Sequence, residues 1–391
     1  MSVVVARGRK TGEWLADPGF GVYVHIPFCR HRCNYCDFNT YEGLDALHGP
    51  YVDALVAEIR SWDGVRRPAT SVFIGGGTPT LLAPRDLGRV LDAVDEVFGI
   101  APGAEVTVEA NPETVDRPRF EGLVAAGVNR VSVGMQSAVP HVLKALGRTH
   151  DPRAPLDAID AARAAGIGEV NLDLIYGSPW ETAEDWRQSL ATVSAACPDH
   201  VSAYALTVEE GTPLHTLVAT GRVPDVDPDT QAARFEVAQR ELAEQGYHRY
   251  EVSNWSRPGR ASDHNVLYWS AGNYVGFGAG AHSHIDGHRW WTTRLPRDYI
   301  DAVTAGASTV AGDESLDPEA RAAEALVLGL RLASGVPVED FANRFGDGCL
   351  EQRRARLDEL EGLGLLDLAD GRIRLTPAAT LVGNEVAARL L

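Results

Sequence analysis

Lysine and long hydrophobic runs are almost absent from this sequence of 391 residues. Lys10 and Lys144 are its only lysines, so arginine carries nearly all of the positive charge. No uninterrupted apolar run reaches the roughly 18 residues that a membrane-spanning helix needs. The first twenty residues also lack the apolar segment and small-residue cleavage site of a secretory signal. We therefore expect a cytoplasmic protein.

Positive charge is also in deficit overall. The formal net charge is -18, and an acidic chain of this kind repels phosphate backbones, which argues against nucleic acid as a partner. Apolar residues make up 45% of the chain and charged residues 23%, as in an ordinary globular protein. The length is sufficient for one large domain and a smaller one.

Only five cysteines are present, and three of them lie in the stretch "HIPFCRHRCNYCDFN". Cys29, Cys33 and Cys36 have the spacing C-x3-C-x2-C, and an odd number clustered in this way does not fit a disulfide framework. Zinc fingers and ferredoxins usually bring four ligands together. One interpretation is a zinc site completed by His25 or His31. The other is a 4Fe–4S cube in which the fourth iron stays open to a small chelating molecule.

Short apolar strands alternate with helical patterns through the first two-thirds of the chain. This alternation predicts a parallel sheet with right-handed crossovers, either a doubly wound sheet or an incomplete (β/α) barrel. The predicted strands are residues 21–28, 71–77, 105–112, 130–137, 169–177 and 200–207.

The pattern changes after residue 222. An acidic linker leads into a predicted helix over 229–246, and residues 247–285, rich in aromatics, Gly, His and Asn, are predicted to be loops and strands. The last part is predicted to be helical, with a hairpin around the Asp-Gly turn of "LLDLADGRIRLT", a winged-helix pattern. We predict three parts, at 1–222, 223–312 and 313–391.

Polar residues follow several of the predicted strands. Glu109, Gln136 and Asp173 each end an apolar run, Arg148 lies shortly after the fourth strand, and "GGGTP" (75–79) ends the second. Glycine permits close approach of the backbone to a ligand, and the chemistry of (β/α) barrels gathers at the carboxyl ends of strands. A helix cap or ion pair would explain any one of these residues. Together, on successive units, they indicate a shared ligand.

These motifs resemble the radical S-adenosyl-L-methionine (SAM) superfamily. Within it, "YVHIPFC", "FIGGGTPT", "EANPE", "GVNRVSVGMQS" and "NLDLIYGSPW" resemble the oxygen-independent coproporphyrinogen oxidase family, over nearly the whole chain. The resemblance implies a partial (β/α)6 TIM-like barrel of the radical SAM type with a C-terminal helical, winged-helix-like domain. It implies a 4Fe–4S cluster on Cys29, Cys33 and Cys36, and SAM contacts from Tyr23, Tyr35, Gly76, Gly77, Thr78, Glu109, Gln136, Arg148 and Asp173.

Two departures separate the chain from the oxidases and indicate a haem chaperone branch of the family. The oxidases carry a further cysteine where this sequence has Phe38, and a longer segment before the cluster. "HNVLYW" (264–269) matches the branch marker HNxxYW. The resemblance then implies haem as cargo, handed to acceptor haem proteins that we expect to be respiratory and membrane-associated. A true coproporphyrinogen oxidase and a radical SAM enzyme with another substrate are the alternatives.

The marker motif suggests a haem site. His264 is a candidate axial ligand, and Tyr268 and Trp269 offer flat apolar faces to a macrocycle. In the opposing interpretation His264 hydrogen-bonds a loop and the aromatics fill the core. His282, His284 and His288 are rival ligands. No catalytic residue is assigned, the electron donor is not identified by the sequence, and we expect a monomer or homodimer.

Overall fold

A computed structural model describes residues 10–391, and its first half is a curved parallel sheet with helices on the outside. The strands are β1 (Phe20–Ile26), β2 (Phe28–Cys29), β3 (Tyr41–Glu42), β4 (Ala69–Gly76), β5 (Ile100–Ala110), β6 (Arg130–Gln136), β7 (Glu169–Tyr176) and β8 (His200–Ala205). The helices are α1 (His48–Arg60), α2 (Pro84–Phe98), α3 (Arg117–Ala125), α4 (Pro140–Leu146), α5 (Ala154–Ala164), α6 (Ala183–Ala196), α7 (Pro213–Ala219) and α8 (Pro228–Glu244). All six predicted strands are present.

Alternation along each strand gives the barrel its two faces. On β1, Val22, Val24 and Ile26 are buried in the core formed with the outer helices, whereas Tyr23 faces the interior cavity. Because successive side chains of a strand point to opposite faces, the same division runs around the sheet. Burying each such apolar side chain contributes about 1.5–3 kcal/mol, so the outer face holds the barrel together.

The second part of the chain extends this sheet at both edges. Its elements are β9 (His248–Glu251), β10 (Asn254–Ser256), α9 (Asp263–Trp269), β11 (Asn273–Phe277), β12 (His282–Ile285), β13 (His288–Thr292), α10 (Pro296–Thr304) and β14 (Val310–Ser315). In residues 10–391 the order is β14-β13-β12-β11-β1-β4-β5-β6-β7-β8-β10-β9, with β11 parallel to β1 and the outer strands antiparallel. The sheet is an open barrel with two edges, as the resemblance implied.

The prediction of loops and strands over 247–285 is wrong at residues 263–269, which form helix α9. Ser262 caps the helix by accepting a hydrogen bond from the Asn265 amide. The Glu105 carboxylate, from β5, accepts bonds from the amides of Asp263 (3.0 Å) and His264 (3.2 Å). A negative charge at a helix N-terminus is stabilising. This helix therefore depends on a tertiary contact that no local pattern reveals.

The C-terminal part packs a second hydrophobic core against the barrel floor, where Trp14, Tyr250 and Val266 join it. Its elements are α11 (Pro318–Gly329), β15 (Val336–Pro337), α12 (Val338–Phe345), α13 (Gly348–Glu351), α14 (Arg354–Gly362), β16 (Leu366–Asp367), β17 (Arg372–Leu375) and α15 (Gly383–Leu390). β16 and β17 pair antiparallel around Asp370 and Gly371, both with positive φ, as a type I′ turn requires. The predicted hairpin is confirmed.

Within residues 10–391, no helix has the length and apolar character needed to cross a membrane. The predicted division into 1–222, 223–312 and 313–391 stays a prediction, and its first nine residues lie outside the described part of the chain. β14 runs without interruption from Val310 to Ser315, across the second predicted boundary.

Candidate functional site

A cavity of about 590 Å³ occupies the inside of the barrel, from the carboxyl ends of the strands down to α9. All the predicted site residues line it except Trp269: Tyr23, Cys29, Cys33, Tyr35, Cys36, Gly76, Gly77, Thr78, Glu109, Gln136, Arg148, Asp173, His264 and Tyr268. The structure thus brings together side chains that lie up to 245 residues apart in sequence.

The three cysteines lie at the cavity mouth as free thiols. Cys29 ends β2, and its sulfur lies 3.8 Å from the hydroxyl of Thr78, which donates to it. The Arg148 guanidinium donates to Cys33 Sγ at 3.5 Å. A positive charge and hydroxyl donors around the sulfurs suit an anionic iron–sulfur cluster, whose properties depend on such hydrogen bonds.

The geometry does not favour a zinc site completed by His25, whereas His31 lies at the cavity mouth, 3.4 Å from Glu42. Across residues 10–391, no three or more His, Cys, Asp and Glu side chains are arranged to hold one metal ion. Both ring nitrogens of His25 are engaged, Nδ1 at 2.8 Å from the Tyr23 hydroxyl and Nε2 at 2.9 Å from the Asn39 carbonyl. Burial raises the pKa of the Cys29 thiol to about 11, so metal binding there releases a proton.

The glycine loop after β4 is pinned against the cysteine strand. Gly77 donates to the Ile26 carbonyl at 2.8 Å and Thr78 to that of Phe28 at 2.7 Å. Gly76 has φ +115°, and a Cβ there would lie 2.4 Å from a carbon of the His25 ring. A Cβ at Gly77 would lie 2.5 Å from the Phe28 carbonyl oxygen. The loop therefore requires glycine and holds its backbone beside Cys29.

Two buried carboxyl groups face the cavity without an ion pair among the described residues. Glu109 accepts a bond from the Gly76 amide at 2.9 Å, and burial, reinforced by Asp173, raises its pKa to about 7. Asp173 accepts bonds from Ser132 (2.8 Å) and Asn171 (2.7 Å), and burial raises its pKa as well. Buried carboxyl groups left in this state can accept hydrogen bonds from a ligand's hydroxyl or ammonium groups.

Gln136 and Arg148 complete the predicted mouth residues. Gln136 has φ +63°, an unusual value for a residue other than glycine, and follows a register shift between β6 and β7. Bulges of this kind redirect side chains and are common beside functional sites. Arg148 donates to the Gly134 carbonyl (2.9 Å) and to Asn111 Oδ1 (3.0 Å), which holds its guanidinium over the cavity.

His264, in contrast, is part of the cavity floor. It is 2% exposed, Nδ1 lies 2.9 Å from the Ser71 hydroxyl and Nε2 lies 2.9 Å from that of Tyr268. Its ring stacks on Phe73 at 5.3 Å, and burial lowers its pKa to about 4. In this arrangement neither ring nitrogen has a lone pair or proton free for another partner.

The two other aromatic residues of HNxxYW, Tyr268 and Trp269, lie in different surroundings. Tyr268 lines the cavity and meets Tyr274 edge-on at 4.7 Å. Trp269 lies outside the cavity, packs against the C-terminal core and has the Arg331 guanidinium 4.3 Å above its ring. The structure therefore does not bring His264, Tyr268 and Trp269 together on one surface.

The rival histidines lie on the β12–β13 hairpin. His284 has both nitrogens near backbone partners, the Gly272 carbonyl and the Gly287 amide, each at 3.1 Å. His288 Nε2 lies 3.1 Å from an Asp313 oxygen. His282 is exposed and stacks on Trp291, and its ring forms no hydrogen bond within residues 10–391.

Sequence reasoning missed the polar floor below the predicted site. Arg130 is 3% exposed, and its Nε has no hydrogen-bond partner among the described residues. His200 lies 2.7 Å from Asn171 Oδ1 and 2.9 Å from the Tyr250 hydroxyl. The signal was available, since polar residues recur at every second position of three strands: Arg130 and Ser132, Asn171 and Asp173, His200 and Ser202. Such alternation marks a polar interior face.

Comparison with known proteins agrees with this architecture. Residues 23–193 match the Radical SAM superfamily, and residues 316–382 match the HemN C-terminal domain. The chain is similar to solved coproporphyrinogen III oxidase (HemN) from Escherichia coli, a radical SAM enzyme, with a TM-score of 0.83 over 97% of this chain and 91% of that one. At 21% identity this similarity shows the fold alone.

Two curated relatives are similar over nearly their whole length. Heme chaperone HemW of Mycobacterium tuberculosis is 42% identical over 378 residues, 95% of each chain. Heme chaperone HemW of Bacillus subtilis is 34% identical over 367 residues, 93% of this chain and 97% of that protein. Identity at this level across complete domains establishes common descent, and the chain therefore belongs to the HemW family of the radical SAM superfamily.

Proposed function

We propose that this protein is a haem chaperone, which binds haem, transfers it to acceptor haem proteins, and carries a 4Fe–4S cluster and SAM in its barrel. The observation that carries the proposal is the similarity to proteins named heme chaperone over 95% of both chains. Phe38 supports it, because the oxidases that the sequence resembles have a cysteine at this position.

The mouth residues fit the two resident groups. Cys29, Cys33 and Cys36 would hold the cluster, with Arg148 as the neighbouring positive charge. The glycine loop, Glu109 and Asp173 would hold SAM through hydrogen bonds to its polar groups. When bound, a reduced cluster of this type supplies the electron that splits SAM into methionine and a 5′-deoxyadenosyl radical. The chain's own contribution is to hold and orient SAM beside the three cysteines.

A second candidate function is the oxidative decarboxylation of coproporphyrinogen III. The observation in its favour is the polar cavity floor around Arg130 and His200, which leaves polar groups beyond those expected to contact SAM. Arg130 Nε forms no hydrogen bond within the described chain, although Glu105 lies 4.0 Å away as its counter-charge, and a carrier that held only the cluster and SAM would leave this buried donor unsatisfied.

The test is haem titration of anaerobically reconstituted protein, followed by mixing the haem-loaded protein with an apo form of a b-type haem protein. We expect one haem per chain and movement of the haem absorption to the acceptor. Coproporphyrinogen III, supplied with SAM and a reductant, should stay unchanged. Formation of protoporphyrinogen, or absence of stoichiometric haem binding, would overturn the chaperone proposal.

A further inference from the structure

We propose that haem docks on the outer rim of the barrel mouth, with His282 as its iron ligand. This inference rests on the proposed function and names the site of the cargo. The rim surface consists of Phe38, His282, Trp291, Arg294 and Leu295, which come from three separate segments of the chain. It lies beside the cysteine loop, and Phe38 is its border with the cavity that contains His264, whereas His282, Trp291, Arg294 and Leu295 lie outside that cavity.

One asparagine side chain holds these segments together. Asn39 donates to the Ala279 carbonyl at 3.0 Å and to the Arg294 carbonyl at 2.9 Å. A Cβ at Gly280 would come within 2.5 Å of the Asn39 amide nitrogen, so glycine is required for this approach. The neighbours of these residues, Phe38 and Leu295 among them, are thereby brought to one rim.

His282 has the exposure and the fixed ring orientation that an iron ligand requires. Its ring is exposed and lies 5.8 Å from the Trp291 ring at an interplanar angle of 25°. Trp291 in turn lies on Gly312 of β14, where a Cβ would come within 2.5 Å of the indole. The stacked indole fixes the orientation of the imidazole while its nitrogens stay free of protein partners in the described chain. Burial and the nearby Arg294 lower the pKa of His282, which favours the neutral form that binds iron.

The rest of the rim matches the other parts of haem. Phe38 is 61% exposed and Leu295 is 50% exposed, and the hydrogen bond from Asn39 to the Arg294 carbonyl holds their two segments together. Arg294 and Arg297 are exposed, and neither forms an ion pair within residues 10–391. Apolar side chains can cover the macrocycle, and arginines pair well with carboxylates such as the two propionates.

The competing positions lack these properties. His264 and His284 use both ring nitrogens within the protein. His288 is paired with Asp313 and lies on the opposite face of the hairpin, since the register matches His282 with Trp291 and His288 with Ile285. The cavity is also the space that the proposed function assigns to SAM, through Glu109 and Asp173, so haem bound there would compete with SAM.

The experiment is haem titration with absorption spectra on wild-type protein and on three variants. We expect His282→Ala to weaken haem binding by at least about tenfold, since the loss of even a supporting residue typically costs 10- to 100-fold at a metal site. His282→Met should restore binding with a shifted spectrum, because a thioether replaces the imidazole. His288→Ala is the matched control, an exposed histidine stacked on Trp290 in the same hairpin, and should bind as wild type does.

The outcomes separate this inference from the function on which it rests. If wild-type protein binds no haem, the proposed function fails. If wild-type protein binds one haem and His282→Ala binds it with the same affinity and spectrum, the rim site is wrong and the chaperone function stands. Selective loss of binding in His264→Ala would place the haem at the HNxxYW motif instead. The thermal unfolding midpoint of each variant verifies that it is folded.

Discussion

Glu105 and Glu109 lie four residues apart on β5, and both are buried, yet their surroundings are opposite. Glu105, at the cavity floor, accepts hydrogen bonds from Ser262 and from two amides of α9, and it lies 3.0 Å from the Lys10 ammonium. Although burial opposes its ionisation, the charges of Arg130 and Lys10 hold its pKa well below the usual range. Glu109, at the mouth, has one amide partner, and its pKa is raised to about 7.

The same contrast separates the two ends of the barrel. At the floor, polar groups are mostly paired with one another, and His264 and His200 each use both nitrogens. At the mouth, free thiols, carboxyl groups without an ion pair in the described chain, and Gln136 with its positive φ face open space. Internal pairing stabilises a fold, whereas buried groups without partners lower stability and are kept where a ligand completes them. The floor therefore supports the fold and the mouth is suited to binding.

The largest expected effect is at the mouth. Cys33→Ala should abolish retention of the iron–sulfur cluster after anaerobic reconstitution, measured as iron, acid-labile sulfide and visible absorption, because the remaining two thiols cannot hold three irons. The free energy of unfolding of the metal-free protein should hardly change. Cys197→Ala, an exposed cysteine outside the cavity, is the control and should retain its iron. Full iron content in Cys33→Ala would contradict the assignment of the cluster.

The next effect is at the floor. Glu105→Gln should lower the free energy of unfolding by about 3–5 kcal/mol, because it leaves the buried Arg130 without its counter-charge and Lys10 with Glu169 alone. Cluster retention in the folded fraction should be unchanged. Urea denaturation measures the loss, and Glu96→Gln, which breaks the exposed pair with Arg60, serves as control with little expected change. Equal effects of the two substitutions would show that the floor pairing does not stabilise the barrel.

The smallest effect is a pH dependence at Glu109. Its pKa is about 7 when folded and 4.5 in the unfolded chain, so between these values the folded protein binds more protons. The contribution of Glu109 to the free energy of unfolding is therefore full below pH 4.5 and is lost as the pH rises through 7. The total loss is about 3 kcal/mol. Glu109→Gln should remove this loss, so the variant gains stability relative to wild type between pH 5 and pH 8. A difference in unfolding free energy that stays constant over this range would contradict the assigned environment.

Sequence patterns predicted the barrel well because its determinants are local. The β1 and β4–β8 strands follow from apolar runs, and Gly76 and Gly77 follow from a loop that admits no side chain. The α9 helix could not be predicted, since Glu105 caps it from 158 residues away. Nor does a sequence show whether a histidine's nitrogens are already paired, as they are in His264. The roles of the site residues, the cytoplasmic location and the monomer or homodimer state stay predictions.

Strand β14 determines whether two copies of this chain can associate through the edges of their sheets. It forms a free edge of the sheet in the described residues, whereas the β9 edge is met by Leu332 through a bridge at Glu251. An unprotected edge invites a second copy to add its own strand. If the second copy adds antiparallel in the register that is symmetric about these residues, Asp313 of each copy faces Glu314 of the other across a strand spacing of about 4.8 Å. Like charges at that spacing oppose continuation of the sheet, and the edge thereby protects the protein against aggregation by strand addition.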